Sequence, residues 1–158
     1  MSRLVKSVVL VGLFALASNV WAAPPGKLAP PSTDVKVKSS RLVPVSEDSL
    51  AVEVALAAGE LWARDPLTVA LRVAKLWPDT SGERSVLRAA VDHDGNEAPR
   101  TRVVTVVLSD LMDDSVGAEW HQVRLVRAGE GWRPVEHRVA QRCQRGRTGV
   151  EFVAEPCP

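Results

Sequence analysis

The sequence predicts an α+β protein in which N-terminal helices pack on an antiparallel sheet. Two observations support this prediction. Apolar residues recur at helical spacing over residues 46–77, whereas the period changes to that of strands after residue 80. Turn sequences separate the later apolar runs, which is typical of a meander of antiparallel strands. Because helices must cover one apolar face of such a sheet, we expect two layers.

The first helix is predicted to begin at Ser46, a favourable N-cap residue. Glu47 and Asp48 follow in the first turn, where the helix dipole favours acidic side chains. Weak alternation of apolar residues over 34–45 indicates a short strand before this helix. The apolar residues that fall at the spacing of a core-facing helix surface are Leu50, Val54, Ala57, Ala58 and Leu61.

The second helix has the clearest local signal in the chain. Asp65 is predicted to cap the free backbone amides, and Pro66 at the first helical position needs no donor. Pro78 is expected to end the helix, because proline disfavours an α conformation at the preceding Trp77. The residues predicted to form the buried face are Leu67, Ala70, Leu71 and Ala74.

The second half of the chain has the pattern of strands separated by turns. The β-branched run 102–108 is apolar on both faces, which favours a position inside the sheet. Asp94-Gly95 predicts a turn, and residues 128–131 predict a hairpin turn. Pro134 cannot donate to a ladder, so we expect at least the start of the last strand to lie at an edge. The predicted strands are residues 86–91, 102–108, 120–127 and 132–142.

Residues 1–22 have the pattern of a Sec-type signal peptide. Arg3 and Lys6 precede an apolar run at 8–17 that is too short to span a bilayer comfortably, and cleavage is expected after Ala22. No cysteine lies near this site, so we expect no lipid anchor. Residues 23–33 are predicted to be a proline-rich linker and residues 34–158 a single α+β domain. The predicted location is therefore periplasmic or secreted.

The charge balance excludes some classes of partner. The chain has 20 Lys and Arg residues against 19 Asp and Glu residues. The predicted signal peptide contains two basic residues and no acidic residue, so its removal changes the net charge from +1 to −1. A nearly neutral domain has no global field that would hold nucleic acid or an anionic membrane. We therefore expect no nucleic-acid partner and no stable membrane anchor, and the oligomeric state stays open.

Cys143 and Cys157 are the only two cysteines in the sequence. An even pair in an exported chain predicts a structural disulfide. A zinc site would need four ligands, and the nearest histidine, His137, stands alone in the sequence. A redox-active pair is disfavoured because the Cys-x-x-Cys spacing is absent.

Basic residues are concentrated near the C-terminus, after an acidic stretch at residues 110–119. Arg142, Arg145 and Arg147 lie beside the predicted disulfide, and arginine forks suit carboxylates and phosphates. We therefore interpret these three residues as a candidate anion- or partner-binding surface. The alternative is that both charged stretches are solvated loops.

His121 and His137 are a candidate pair in the predicted C-terminal hairpin. If Val123 opposes Val135, then His121 opposes His137, at a Cβ separation of about 4.5–5.5 Å. Such a pair could line a pocket, respond to pH or bind a metal, although two histidines without a third ligand make a poor zinc site. The alternative is two partly exposed histidines with no joint role.

The segment from residue 100 to the C-terminus resembles small, uncharacterised exported proteins of Gram-negative bacteria. The resemblance rests on Asp113-Asp114-Ser115-Val116, on Trp132 after a glycine turn, and on Arg142-Cys143-Gln144-Arg145-Gly146-Arg147 with the closing Cys157. It implies a non-lipidated envelope or secreted protein and brings no activity with it. The order of helices and strands is also similar to that of cystatin-like and NTF2-like folds, which does not specify function.

No motif in the sequence indicates a catalytic residue, a cofactor or a metal site. The acidic pair Asp113-Asp114 falls in a predicted turn, where water would keep both carboxylates ionised. We therefore expect a non-enzymatic binding or interaction protein of the cell envelope. The alternatives are a small-ligand-binding or hydrolytic protein with a pocket between helices and sheet, and a secreted effector or inhibitor.

Overall fold

The described residues form a five-stranded antiparallel sheet with two α-helices on one face. The computed structural model describes residues 35–76, 86–93, 98–111, 113–145 and 150–158. The strands are β1 (Arg41–Val43), β2 (Val86–His93), β3 (Thr101–Ser109), β4 (Val116–Ala128) and β5 (Gly131–Cys143). The helices are α1 (Ser46–Ala57) and α2 (Pro66–Val73), with a 3₁₀-helix at Leu61–Arg64 between them.

Strands β2 to β5 form the predicted meander, and β1 adds to the sheet beside β5, giving the order β1-β5-β4-β3-β2. The predicted α+β architecture is thereby confirmed. Strand β1 pairs only with residues 137–139 of β5, so the start of β5 has no partner there. This agrees with the edge position expected near Pro134, although the middle of β5 lies inside the sheet. The predicted signal peptide, linker and Asp94-Gly95 turn lie outside the described residues.

One apolar core lies between the helices and the sheet. It combines buried residues of α1, α2 and the 3₁₀-helix with those of β3, β4 and β5. Gly131 permits the close approach of β5, because a Cβ there would meet the Leu56 side chain and lie 2.5 Å from the Ala63 carbonyl oxygen. The buried members of this core are Val52, Ala55, Ala63, Val69, Ala70, Leu71, Val73, Val104, Val106, Val123, Leu125 and Trp132.

A second, smaller core covers the opposite face of the sheet. Phe152 packs there against residues of β3, β4 and β5, with Val35 and Val37 beside it. Backbone bridges join Val37 to Phe152 and Gln141 to Val153. The predicted Cys143–Cys157 disulfide is present and links the end of β5 to the C-terminal segment. The segments before β1 and after β5 therefore cover the face that the helices leave open.

Helix α1 differs from the sequence expectation in two respects. Its N-cap residue is Val45, which provides no side-chain hydrogen bond, so the predicted cap at Ser46 is wrong. The helix buries Val52 and Ala55, whereas the residues that periodicity assigned to a core-facing surface are exposed. The physical reason is that α1 is apolar on both sides, so periodicity alone could not select the buried face. The exposed residues are Leu50, Val54, Ala57, Ala58 and Leu61.

Helix α2 begins as the sequence predicts. Asp65 Oδ2 accepts hydrogen bonds from the Thr68 backbone nitrogen at 2.7 Å and the Thr68 hydroxyl at 2.6 Å. The helix ends at Val73, earlier than expected from Pro78, and Lys75 follows in the left-handed region at φ 61°. Within the described residues, no helix is long and apolar enough to cross a membrane.

We expect Asp65→Ala to lower the free energy of unfolding by about 1 kcal/mol, because it removes an N-cap acceptor. Ser46→Ala is the matched control and should leave stability unchanged, since Ser46 makes no capping bond. Urea denaturation of the two variants measures both effects. Equal losses in the two variants would contradict the assignment of the caps.

Replacing both cysteines by serine should lower the free energy of unfolding by about 3 kcal/mol, as the chain-entropy model gives for a loop of this length. The loop closes over a sequence separation of 14 residues. Comparing urea midpoints of the oxidised protein and the Cys143→Ser/Cys157→Ser variant tests this expectation. Unchanged midpoints would show that the second core holds the C-terminal segment without the bond.

Candidate functional site

A β-bulge in the β4–β5 hairpin determines which side chains face the helices. Leu125 pairs with Pro134, but the preceding residue of β4, Arg124, pairs with Glu136, so Val135 has no partner. An extra residue on one strand reverses the alternation of its side chains. Before the bulge, the even-numbered residues Trp132 and Pro134 face the helices. After it, the odd-numbered residues His137 and Val139 face the helices.

The bulge corrects the register expected from the sequence. Val123 pairs with His137, not with Val135, and His121 pairs with Val139. The two histidines are thus diagonal neighbours rather than directly opposed. Their side chains still meet, because diagonal neighbours on one face lie within reach of each other when the side chains are long.

A hydrogen-bonded chain runs from Glu119 through His121 to His137. His121 Nε2 lies 3.3 Å from Glu119 Oε2, and His121 Nδ1 lies 3.2 Å from His137 Nε2. Both imidazoles are buried. Among the polar side-chain atoms of the described residues, His137 Nδ1 is buried without a hydrogen-bond partner.

The carboxylate at one end fixes the tautomers along this chain. Its hydrogen bond with His121, together with the charges of His121 and Arg41, lowers the pKa of Glu119, so this group is ionised and only accepts. His121 therefore donates from Nε2 to this carboxylate. When His121 is neutral, it accepts at Nδ1 from His137 Nε2, which leaves a lone pair on His137 Nδ1. In that state the chain ends in a buried acceptor.

His137 is held in its neutral form. Burial lowers its pKa to about 4, and the charge of His121, when that imidazole is protonated, and the charge of Arg41 act in the same direction. Its side chain also lines a groove of about 450 Å³ between β1 and β5, with Leu42, Pro44 and Val135 among the other lining residues. The groove lies at the sheet edge, away from the first core between the helices and the sheet.

A cleft at Trp132 lies on the same side of the sheet as the two histidines, near the hairpin turn. It measures about 450 Å³ and is lined by Ala98, Pro99, Arg100, Arg102, Arg127 and Trp132. The guanidinium carbons of Arg102 and Arg127 lie 5.6 Å and 5.2 Å from the centroid of the Trp132 ring, within cation–π distance. Adjacent strands place them together: Arg102 pairs with Leu125, two residues before Arg127, and Arg127 pairs with Trp132.

The cleft arginines have no acidic partner within the described part of the chain. The ion pairs found there involve other basic residues, and the nearby Glu130 binds Arg64 at 2.9 Å. Arg102 Nε is buried and has no hydrogen-bond partner among the described residues, which is costly for a charged donor. Arg127 Nε donates to the Gly129 carbonyl oxygen at 3.0 Å, which fixes the direction of its side chain. The cleft is therefore a positively charged recess without an acidic partner among the described residues.

Of the three arginines that the sequence predicted as a binding surface, the two that the structure describes, Arg142 and Arg145, do not form a common site. Arg142 lies on the sheet face opposite the helices, with its guanidinium carbon 5.8 Å from the Phe152 ring centroid. Arg145 is exposed just after β5, and Arg147 lies outside the described residues. Arg142 and Arg145 do not line a common pocket among those found in the described residues.

The acidic turn forms a local backbone structure. Asp113 Oδ1 accepts hydrogen bonds from the backbone nitrogens of Ser115 and Val116, each at 2.7 Å, and these bonds lower the pKa of Asp113. Among the described residues, no three His, Cys, Asp or Glu side chains are arranged to hold a metal ion. The turn therefore orders the entry into β4.

Sequence reasoning did not find the Trp132 cleft. Its charged residues come from three places: Arg100 before β3, Arg102 within β3 and Arg127 near the end of β4. The one available signal was that Arg102 and Arg127 each interrupt an apolar strand close to its end. The strand register is needed to show that these two arginines lie side by side.

The chain matches no known protein-family model, no curated protein sequence and no solved structure.

We expect the protein to lose on the order of 2 kcal/mol of stability between pH 8 and pH 5, because of His137. Its pKa is about 4 in the folded protein, against 6.5 for an unperturbed histidine. In this window the unfolded chain binds a proton that the folded protein does not, so stability falls as pH falls. Urea denaturation at several pH values gives the free energy of unfolding as a function of pH. This free energy should fall less steeply toward low pH in His137→Gln than in the parent protein. An identical fall in the two proteins would contradict the burial of a neutral imidazole.

Proposed function

We propose that this protein is a non-enzymatic, exported binding protein of the cell envelope that recognises an anionic ligand in the Trp132 cleft. The observation that carries the proposal is the pair of Arg102 and Arg127 guanidinium groups over the Trp132 ring in this cleft, neither of which has an acidic partner among the described residues. An anionic group of a ligand would supply the missing counter-charge. No catalytic arrangement at the cleft is needed for this role.

The lining of the cleft indicates the chemistry of the ligand. Arginine forks match the geometry of carboxylate and phosphate oxygens, and such charge-assisted hydrogen bonds are among the stronger polar contacts. Ala98, Pro99 and the Trp132 ring provide apolar walls beside the arginines. A small site with apolar walls and a few polar groups suits a ligand that has an anionic group on a compact body. Carboxylated and phosphorylated components of envelope polymers share this chemistry.

Two features support an envelope location. The first 22 residues have the pattern of an export signal. The Cys143–Cys157 disulfide is of the kind that persists in oxidising compartments. An envelope protein meets anionic polymers at high local density, so a single modest cleft can be sufficient for retention.

Arg102→Gln/Arg127→Gln should weaken binding of an anionic probe at least ten-fold, because charged hydrogen bonds each contribute about 1.5–3 kcal/mol. The probes are a muramic-acid-containing peptidoglycan fragment for carboxylates, glycerol phosphate for phosphates, and a neutral chitin oligomer as the reference. Isothermal titration calorimetry with the exported, oxidised protein measures the affinities. Circular dichroism establishes that the variant is folded.

Arg124→Gln is the matched control. Arg124 is a β4 arginine that pairs with Glu136 and does not line the cleft, so its replacement should leave affinity unchanged. If Arg142→Gln/Arg145→Gln lost binding while Arg102→Gln/Arg127→Gln kept it, the binding site would be the C-terminal arginine segment and not the cleft. Failure of both anionic probes to bind better than the neutral oligomer would contradict the proposal.

A further inference from the structure

Helix α1 presents an apolar row to solvent, although the same helix buries a second apolar face. Leu50 and Val54 are each 62% exposed, and Ala57 follows on the same side at the next helical interval. Leu61, in the 3₁₀-helix that follows, is 76% exposed. Exposed apolar residues that occur singly are ordinary on protein surfaces, but a row at helical spacing is the pattern of a helix that packs on a partner.

The charges that helix α1 itself contributes beside this row are all negative. Helix α1 contains Glu47, Asp48 and Glu53 and no basic residue. Glu47 and Glu53 each lie three residues from Leu50, in opposite directions along the helix, so they border the row on its two sides. Glu53 has an ion pair with Arg133 at 3.5 Å, whereas Glu47 has none within the described residues.

These charges distinguish among the possible occupants. A second copy of the chain would bring its own acidic α1 against the first, and juxtaposed like charges oppose association. Helices that lie on anionic lipid surfaces carry Lys and Arg beside their apolar residues, which is the opposite pattern. A polypeptide with basic residues beside an apolar ridge complements the apolar row and the acidic border at Glu47, and it can share Glu53 with Arg133.

We infer that the exposed face of α1, formed by Leu50, Val54 and Ala57 between Glu47 and Glu53, is a docking surface for an amphipathic helix with basic flanks on another protein. The small Ala57 side chain lets the partner helix approach closely, and Leu50 and Val54 supply the apolar contact. This surface is independent of the Trp132 cleft, since no residue of α1 lines that cleft.

The test uses two synthetic helical peptides as probes. Both carry the same apolar ridge of leucine and alanine, and they differ only in having lysine or glutamate at the flanking positions. Fluorescence anisotropy is measured on titration with the exported, oxidised protein at low salt. We expect the lysine-flanked peptide to bind, and the glutamate-flanked peptide to bind at least ten-fold more weakly.

Variants of the protein locate the binding surface. Val54→Ser should weaken binding of the lysine-flanked peptide at least five-fold, and Glu47→Lys should reduce its advantage over the glutamate-flanked peptide. The matched control is Val150→Ser, which changes a valine that is 77% exposed in the C-terminal segment and should have no effect. All of these residues are exposed, so the variants should stay folded, with a small loss of stability in Glu47→Lys, which reverses a favourable charge in the first turn of α1; melting temperatures check this.

Several results would overturn the inference. Equal affinity for the two peptides, no binding of the lysine-flanked peptide, or an equal effect of Val54→Ser and Val150→Ser would each do so. A dimer in sedimentation that Val54→Ser dissociates would assign the face to a second copy. Binding to phosphatidylglycerol vesicles that Val54→Ser abolishes would assign it to lipid. Retention of peptide binding by Arg102→Gln/Arg127→Gln would show that the surface works separately from the cleft.

Discussion

The β-bulge at Val135 is the constraint on which the organisation of this protein depends. Side chains of a regular strand alternate between its two faces. If β5 lacked the extra residue and still buried Trp132 and Pro134, it would also turn Glu136 and Arg138 toward the helices. His137 would then point away from the helices. The bulge instead keeps Trp132, Pro134, His137 and Val139 on the helix-facing side and leaves the ion pair of Glu136 and Arg138 on the opposite face. Pro134 suits this position because it has no amide hydrogen to offer the ladder. Helix α1 is attached at the same place, since the Ser49 hydroxyl donates to the Pro134 carbonyl oxygen at 2.7 Å.

Both candidate sites lie along the helix-facing side that the bulge creates, at different ends of the β4–β5 hairpin. Near the turn, Trp132 meets Arg102 and Arg127. Beyond the bulge, His137 meets His121. The rest of the hairpin is fixed from the other face, where Phe152 and the disulfide hold the C-terminal segment. Covering both faces makes the sheet a rigid support, which suits a protein that presents surfaces to ligands and partners.

Local signals in the sequence predicted local structure well, and non-local features were the ones it could not specify. Asp65 and Pro66 define a helix start through contacts within one turn, and that prediction is confirmed. The buried side of α1 was missed because its apolar residues occupy both sides, so only packing selects Val52. The α+β architecture followed from periodicity, yet the register of β4 and β5 depends on one unpaired residue that periodicity does not reveal. The cleft was not predicted because its residues come from different strands, which meet only through the β3–β4 and β4–β5 pairings near the hairpin turn.

The most direct test of this account is the register of the β4–β5 hairpin in solution. Nuclear Overhauser effects between the backbones of the two strands can be measured on the isotopically labelled, oxidised protein. The account predicts contacts that pair Val123 with His137 and Leu125 with Pro134, and no partner for Val135. Contacts that pair Val123 with Val135 would place His121 directly opposite His137. That result would contradict the bulge and the arrangement of both sites derived from it.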